Sequence, residues 1–205
     1  AKTMIGISLK EQRIQTESTT KFFAVKGPVF PFNKFPDSDP ILGPEMKSTG
    51  EVMGTGNSFG EAYIKSQHAA GIKIPQTGTV FISVREPDKT KVLLNLARLL
   101  IKKGFSIVST EGTSEFLNSH NIKSSYINKV HQGQPHIVDL IRKGEIDLII
   151  NTTEGKQSIE ESFSIRAEAV IRNVTYYTSL EASIATMDAF DYFNMVSVNK
   201  LQDFY

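Results

Sequence analysis

Four short segments carry side chains that suit phosphate chemistry. Ser83 ends one apolar run with Lys89 shortly after it, and a second run leads into Ser109-Thr110-Glu111-Gly112-Thr113. Asn128-Lys129-Val130 and Asn151-Thr152-Thr153 close two more. A phosphate is held by short hydroxyl and amide donors, by backbone N–H groups at helix N-termini, and by a point charge such as a lysine ammonium. Gly112 would let the backbone approach closely. Ser, Thr and Asn in such places also cap the helices that follow, and any one segment alone reads as a cap. Four of them converging on one sheet edge, two bearing lysine, point to an anion site. The roles are compatible, since a cap engages some donors and leaves others.

Other chemistries find less support. There is no Gly-x-Ser-x-Gly elbow and no cysteine, so nucleophilic hydrolysis is poorly supported, and thiolate metal sites and disulfides are excluded. His68, His120, His131 and His136 lack metal-ligand spacing. His131 and His136 flank Gln132-Gly133-Gln134-Pro135 and could border the anion site, although a surface role is favoured for each. No catalytic residue and no metal ligand is assigned. Gly54-Thr55-Gly56-Asn57-Ser58-Phe59-Gly60 resembles a dinucleotide fingerprint, but its third glycine comes one residue late and the strand before it is short. Phe22, Phe23, Phe30, Phe32 and Phe35 have too few lysines around them for base stacking and are expected to pack against further protein.

The elements that must position these residues follow from pattern. Residues 1–72 hold five of the eight prolines and predict a helical run over Lys2–Gln12, strands over Phe22–Phe30 and near Glu51–Met53, and a helix over Ser58–Ala70. That is too little for an independent core. Gly71–Gly78 reads as a linker. Strands are then expected at 79–84, Phe105–Ser109, Ser124–Val130, Ile146–Asn151 and Val174–Thr178. Helices are expected from a cap at Asp88 to Lys103, after Gly112, and over Ile137–Lys143, Ile159–Arg172 and Leu180–Ala189. Val92, Leu93, Leu96, Ala97, Leu99 and Leu100 would form the apolar face of the first of these. Strict alternation with short connections predicts an α/β fold: a doubly wound, parallel, five-stranded sheet, with ligands beyond the carboxyl ends of its strands.

The chain has 205 residues, 40% hydrophobic and 22% charged, with a net charge of +1. These values suit a folded globular protein and exclude a broad basic surface for nucleic acid or acidic membranes. No segment approaches the roughly 20 apolar residues of a membrane span, and the first twelve residues lack the basic-then-apolar pattern of a signal sequence.

Pro31-Phe32-Asn33-Lys34-Phe35-Pro36, Asp39-Pro40-Ile41-Leu42-Gly43-Pro44-Glu45-Met46 and Ser48-Thr49-Gly50-Glu51-Val52-Met53-Gly54 strongly resemble the end of the second ATP-grasp unit of carbamoyl-phosphate synthetase large chains. Residues 79–189 are similar to that family's terminal allosteric domain, which has a methylglyoxal-synthase-like fold. The likeness lies in Ser83-Val84-Arg85-Glu86, Asn128-Lys129-Val130-His131, Gly133-x-Pro135-His136-Ile137 and Ile149-Ile150-Asn151-Thr152-Thr153. The resemblance implies an ATP-grasp tail at 1–72 and an allosteric domain at 73–205.

It further implies an intact cytoplasmic enzyme that makes carbamoyl phosphate for pyrimidine and arginine biosynthesis. That enzyme would use bicarbonate, ATP with Mg or Mn, and ammonia from a glutaminase small chain. The ATP-grasp ligands would lie upstream of Ala1, so this chain is not expected to catalyse by itself. Its partner is expected to be a nucleotide monophosphate effector, UMP or IMP, with phosphate contacts on Lys89, Thr110, Thr113, Lys129, Asn151 and Thr153. Lys91 could replace Lys89, because this chain carries one residue more than usual before Ala97. Two rival readings are a free-standing methylglyoxal-synthase-like phosphate lyase and an oligomerisation module forming a homo-oligomer. The lyase reading lacks a carboxylate in the loop His131–Pro135 to act as base.

By the same resemblance, Tyr176 and Thr178 would belong to an ornithine site. Tyr177 stands where an acidic residue is usual, and Gly27 where a glutamate is. Ornithine is a cation, and two lost carboxylates remove its charge partners. Ornithine activation of the full-length enzyme is therefore expected to be weak or absent, and strong ornithine-dependent stimulation in an activity assay would overturn this.

Overall fold

A computed structural model describes residues 1–14, 20–35, 39–194, 197–200 and 202; Pro36 of the proline-rich motif lies outside the described residues. β1 (Phe23–Val29) and β2 (Gly50–Gly56) pair antiparallel, with Phe23 opposite Gly56. α1 (Phe59–Ala69) packs across this ribbon, and its N-cap Ser58 accepts from the Glu61 N–H at 3.2 Å. The approach is close: a Cβ on Gly54 would lie 2.0 Å from the Ala62 carbonyl oxygen and 2.5 Å from the Ser66 nitrogen. A Cβ on Gly56 would meet the Glu61 side chain, and one on Gly60 the Tyr192 ring. The glycine series therefore serves packing, and β2 sits in an antiparallel pair rather than a βαβ unit.

The helix predicted over Lys2–Gln12 is instead one 3-10 turn, Lys2–Ile5, closed by Gly6 at φ +92°. Beyond it the Ser8 N–H donates to Glu11 Oε2 at 2.8 Å and the Glu11 N–H to Ser8 Oγ at 3.3 Å. The left-handed Gly6 ends the turn, as glycine does at helix C-termini.

The larger sheet contains β3 (Gly78–Ser83), β4 (Phe105–Ser109), β5 (Ser125–Tyr126), β6 (Leu148–Asn151) and β7 (Thr175–Tyr177), in the order β5-β4-β3-β6-β7 and all parallel. The helices are α2 (Lys91–Lys102), α3 (Glu111–Ser119), α4 (Ile137–Lys143), α5 (Gly155–Glu161), α6 (Phe163–Arg172) and α7 (Leu180–Asp188). Alternation along β3 divides the core. Val80 and Ile82 join Leu93, Leu96 and Leu100 of α2 and Leu180 of α7. Phe81 joins Ile137 and Ile141 of α4 and Ile165 and Ala169 of α6 on the other face. The sheet is doubly wound, as its sequence pattern predicts.

Four expectations are corrected. α2 starts later than Asp88: Glu86–Asp88 form a 3-10 turn, and Thr90, in extended conformation, accepts from the Val92 N–H at 3.2 Å as the cap. Val92 is consequently exposed and Leu94 buried. The strand predicted over Ser124–Val130 forms a ladder only at Ser125–Tyr126, with one isolated bridge from Asn128 to His136; at its start Asn118 and Ser114 take the Ser124 carbonyl through their side chains. The helix predicted over Ile159–Arg172 breaks at Ser162 into α5 and α6. The break leaves the Ile159 carbonyl to Arg166, whose Nη2 donates to it at 2.8 Å. Finally, the Gly71–Gly78 stretch is no loose linker. Ile74 is buried with Ile64 of α1 and Ala189, and the Thr175 hydroxyl donates to the Lys73 carbonyl.

Two further contacts join the β1–β2–α1 unit to the larger sheet. Tyr63 hydrogen-bonds Thr186 of α7 at 3.0 Å. Arg166 of α6 grips Asp39 with both arms, Nε to Oδ1 at 2.7 Å and Nη2 to Oδ2 at 2.5 Å. Among the described residues no helix is long and apolar enough to cross a membrane.

Gly54→Ala should lower stability by about 1–3 kcal/mol or more, because backbone blocks the new methyl. Gly50→Ala, with nothing within 4 Å of its Cβ, should stay within about 0.5 kcal/mol of the parent. Urea midpoints of the two variants check this, and equal midpoints would refute the packing role.

Candidate functional site

β3 has β4 on one side and β6 on the other, so the chain reverses its direction of travel across the sheet at the carboxyl end of β3. That crevice is where open α/β sheets bind ligands. A cavity of about 130 Å³ opens there. Ser83 ends β3 and Arg85 follows it into the wall, Thr110 follows β4, Lys129 and His131 follow β5, and Asn151 ends β6 with Thr152 after it. Ser158, Glu161 and Ser162, around the α5–α6 break, close the far side. The volume is well below the roughly 300–1,000 Å³ of a pocket that swallows a drug-sized ligand. It suits one phosphate-sized group, with the rest of a ligand extending outward.

The structure separates the six predicted phosphate residues into wall and flank. Thr110, Lys129 and Asn151 line the cavity. Thr110 precedes α3 but makes no side-chain cap bond; its hydroxyl donates to Ser83 Oγ at 3.2 Å. The capping alternative therefore fails at this strand end, and no side chain of Thr110 occupies the first amides of α3. Thr113 is buried behind the wall, where its Oγ1 accepts from the Val84 N–H at 3.3 Å. It holds the loop after β3. Lys89 flanks the site, with Nζ 2.6 Å from Glu86 Oε2 and 3.0 Å from where a Gly112 Cβ would stand. The bare glycine thus lets this ammonium lie against the start of α3. Lys91 opens α2 and is exposed. Thr153 lies half-buried outside the wall, and Thr152 takes the inward position, its Oγ1 accepting from the Arg85 N–H at 3.1 Å.

Arg85 and Asp88 form an ion pair at the mouth, Nε to Oδ2 at 2.9 Å. Burial pushes the Asp88 carboxyl up, but hydrogen bonds from Arg85 and Thr152 and the Arg85 charge together hold the group below the usual carboxylate range. His131 is an exposed wall residue; His136 is half-buried and its N–H donates to Asp139 at 3.0 Å.

Residue patterns missed Arg85, Thr152, Ser158, Glu161 and Ser162. Two adjacent threonines after a strand do not reveal which one points inward. Ser158 and Ser162 carry one signal, the one-turn spacing that places both on one helical face. Glu161 also puts on the wall a carboxylate that the loop after Lys129 lacks.

A second cavity, about 260 Å³, lies between the β1–β2–α1 unit and β7. Phe30 and Phe32 line it, their rings stacked at 5.0 Å, with Pro28, Lys73, Asn173 and Tyr176. Among the described residues its lining holds no carboxylate. Of the two residues expected for ornithine, Tyr176 is in this wall while Thr178 is exposed and outside it. Burial raises the Tyr176 phenol and the Arg166 charge pulls it part of the way back.

An MGS-like domain model matches residues 92–178, from the first turn of α2 to just past β7. The α/β architecture with its parallel five-stranded sheet is consistent with an MGS-like domain. Over 203 residues, 99% of its length, the chain is 47% identical to the carbamoyl phosphate synthase large chain of Xanthomonas campestris pv. campestris and 48% identical to that of Pseudomonas putida. It is 50% identical over 188 residues, 92% of its length, to that of Myxococcus xanthus. The chain belongs to the carbamoyl phosphate synthase large chain family and corresponds to a C-terminal portion of it. It spans 19% of the length of the first two relatives and 17% of the third.

Acid sensitivity follows from the buried ion pairs. Burial would raise Asp39 and Glu168, yet arginine hydrogen bonds from Arg166, and from Arg142 and Arg172, leave both below their ordinary values. A depressed carboxylate contributes stability above its unfolded value, about 4, and loses it as pH falls through the folded value. Urea midpoints should therefore drop below about pH 4. Glu168→Gln should be less stable at neutral pH and show a shallower acid drop; an unchanged acid slope would count against the pairing.

Proposed function

We propose that this chain is the regulatory C-terminal part of a glutamine-dependent carbamoyl phosphate synthetase large chain, and that the switch-point cavity takes the phosphate of a nucleoside monophosphate such as UMP or IMP. The observation that carries this reading is the meeting of Thr110, Lys129 and Asn151, from three separate strand ends, on one phosphate-sized cavity. Lys89, over Gly112 at the start of α3, supports the reading as a second ammonium at its flank.

On this reading residues 1–72 are the tail of an ATP-grasp domain and 73–205 the effector domain. The first unit supports that division: its buried cluster is small and shared with α7's end, and it leaves Met4, Ile5, Leu42 and Met46 exposed. Such a surface suits coverage by more of the large chain. Catalysis with ATP and its metal, and delivery of ammonia by a glutaminase partner, would belong to those other parts in the cytoplasm. This chain would supply control, with a coupling of order 1–3 kcal/mol between effector and catalysis. The second cavity, lined by Lys73 and, among the described residues, no carboxylate, supports weak or absent ornithine control.

Lys129→Ala removes a charged hydrogen bond worth about 1.5–3 kcal/mol, so UMP and IMP should bind roughly 10- to 150-fold more weakly. Calorimetric titration checks this. Affinity equal to the parent's would remove Lys129 from the site and with it the observation on which the reading rests.

A further inference from the structure

The buried side chain of Arg166 stands between the two cavities. Its guanidinium is fully buried on α6 and held by Asp39 from the stretch before β2. Asp39 is itself knotted into its own segment. Its Oδ1 accepts from the Ile41 N–H at 3.0 Å, and Lys47 Nζ donates to the Asp39 and Ile41 carbonyls at 3.1 and 2.6 Å. On the opposite side Arg166 acts on Tyr176, whose phenol feels its charge. The Tyr176 oxygen accepts from Asn151 Nδ2 at 3.4 Å. Tyr176 is a wall of the larger cavity and Asn151 a wall of the smaller, so this contact is where the two meet.

Two features give this chain of contacts a way to switch. The Asn151–Tyr176 bond is longer than the usual 2.7–3.2 Å or so for an N–H donor, so the amide is weakly committed. Arg166 Nη1 is buried with no hydrogen-bond partner, which is costly for a charged group. A phosphate in the smaller cavity offers Asn151 Nδ2 a charged acceptor, a better one than a phenol oxygen. The Tyr176 oxygen then loses a donor, and Arg166, which already bears on that phenol, has an unpartnered buried Nη1 to offer in its place. A guanidinium is planar and rigid, so turning Nη1 toward Tyr176 must disturb the paired bonds to Asp39.

We propose that Arg166 is a positioning residue of the phosphate cavity: pinned by Asp39, it aims Tyr176 and through it the Asn151 amide, so that filling the cavity is felt at residues 39–47. This rests on the phosphate-binding reading of the cavity and names the route by which that site would report to the β1–β2–α1 unit.

The test uses UMP titrations of the 205-residue chain together with amide exchange. Asp39→Asn keeps the shape and loses the charge, and should weaken UMP about 3- to 10-fold, a size known for residues that touch no ligand. Asp39→Glu, which restores the charge, should recover most of that loss. Saturating UMP should change exchange at the Ile41 amide in the parent chain and leave it unmoved in Asp39→Asn. Parent-like affinity in folded Asp39→Asn, or an Ile41 amide in the parent that ignores bound UMP, would overturn the proposal while leaving the cavity reading intact. If Asp39→Asn does not fold, exchange in the parent chain alone decides. Failure of the parent to bind UMP at all would sink the cavity reading first, and this inference with it.

Discussion

Burial of β3 on both faces is the constraint from which the rest of the larger sheet follows. Val80 and Ile82 are fully covered on one side and Phe81 on the other. A polar side chain along such a strand would sit in an apolar layer without a partner, at a cost of several kcal/mol. Polar groups are therefore confined to the strand's end, where Ser83 and Arg85 stand. β6 repeats the pattern, with Leu148, Ile149 and Ile150 fully buried before Asn151. Because all five strands run the same way, every such end reaches the same edge. The cavity is the meeting point that a buried parallel sheet imposes, and its hydroxyl and amide lining is what remains when burial has excluded polar groups elsewhere.

The second organising contact is ionic. A fully buried guanidinium needs a carboxylate, since removing one partner of such a pair leaves an uncompensated charge. Arg166 obtains that partner from Asp39, far away in sequence, and so ties the β1–β2–α1 unit to α6. It also takes the Ile159 carbonyl at the break between α5 and α6. That break brings Ser158, Glu161 and Ser162 to the cavity. One side chain thus docks the first unit and accompanies the local distortion that completes the wall.

The glycine series and the strand-end hydroxyls show how one residue pattern serves different ends. Gly54 and Gly56 stand where a glycine-rich phosphate loop would have them, yet backbone of α1 and the Glu61 side chain occupy the space above them. Thr110 stands where a helix cap belongs, yet its hydroxyl turns to Ser83 while Thr90, not Asp88, caps α2. Local pattern states which groups are available. Neighbouring elements decide whether those groups are spent.

The alternation of elements, the doubly wound sheet and the strand ends that carry the site were all legible along the chain. Period-2 apolar runs and amphipathic helices are properties of consecutive residues, and burial acts on them locally. Phe105–Ser109 and Ile137–Lys143 fold with the limits that their residues predict. Thr110, Lys129 and Asn151 were readable for the same reason, being polar residues at or just past the ends of such runs. Thr152 rather than Thr153 in the wall, Lys89 resting beside Glu86, the break at Ser162 and the Asp39–Arg166 pair were not. Each depends on where a second, distant segment places its donors, acceptors or charge. Such distances exist only once the chain has closed on itself, so tertiary structure alone decides them.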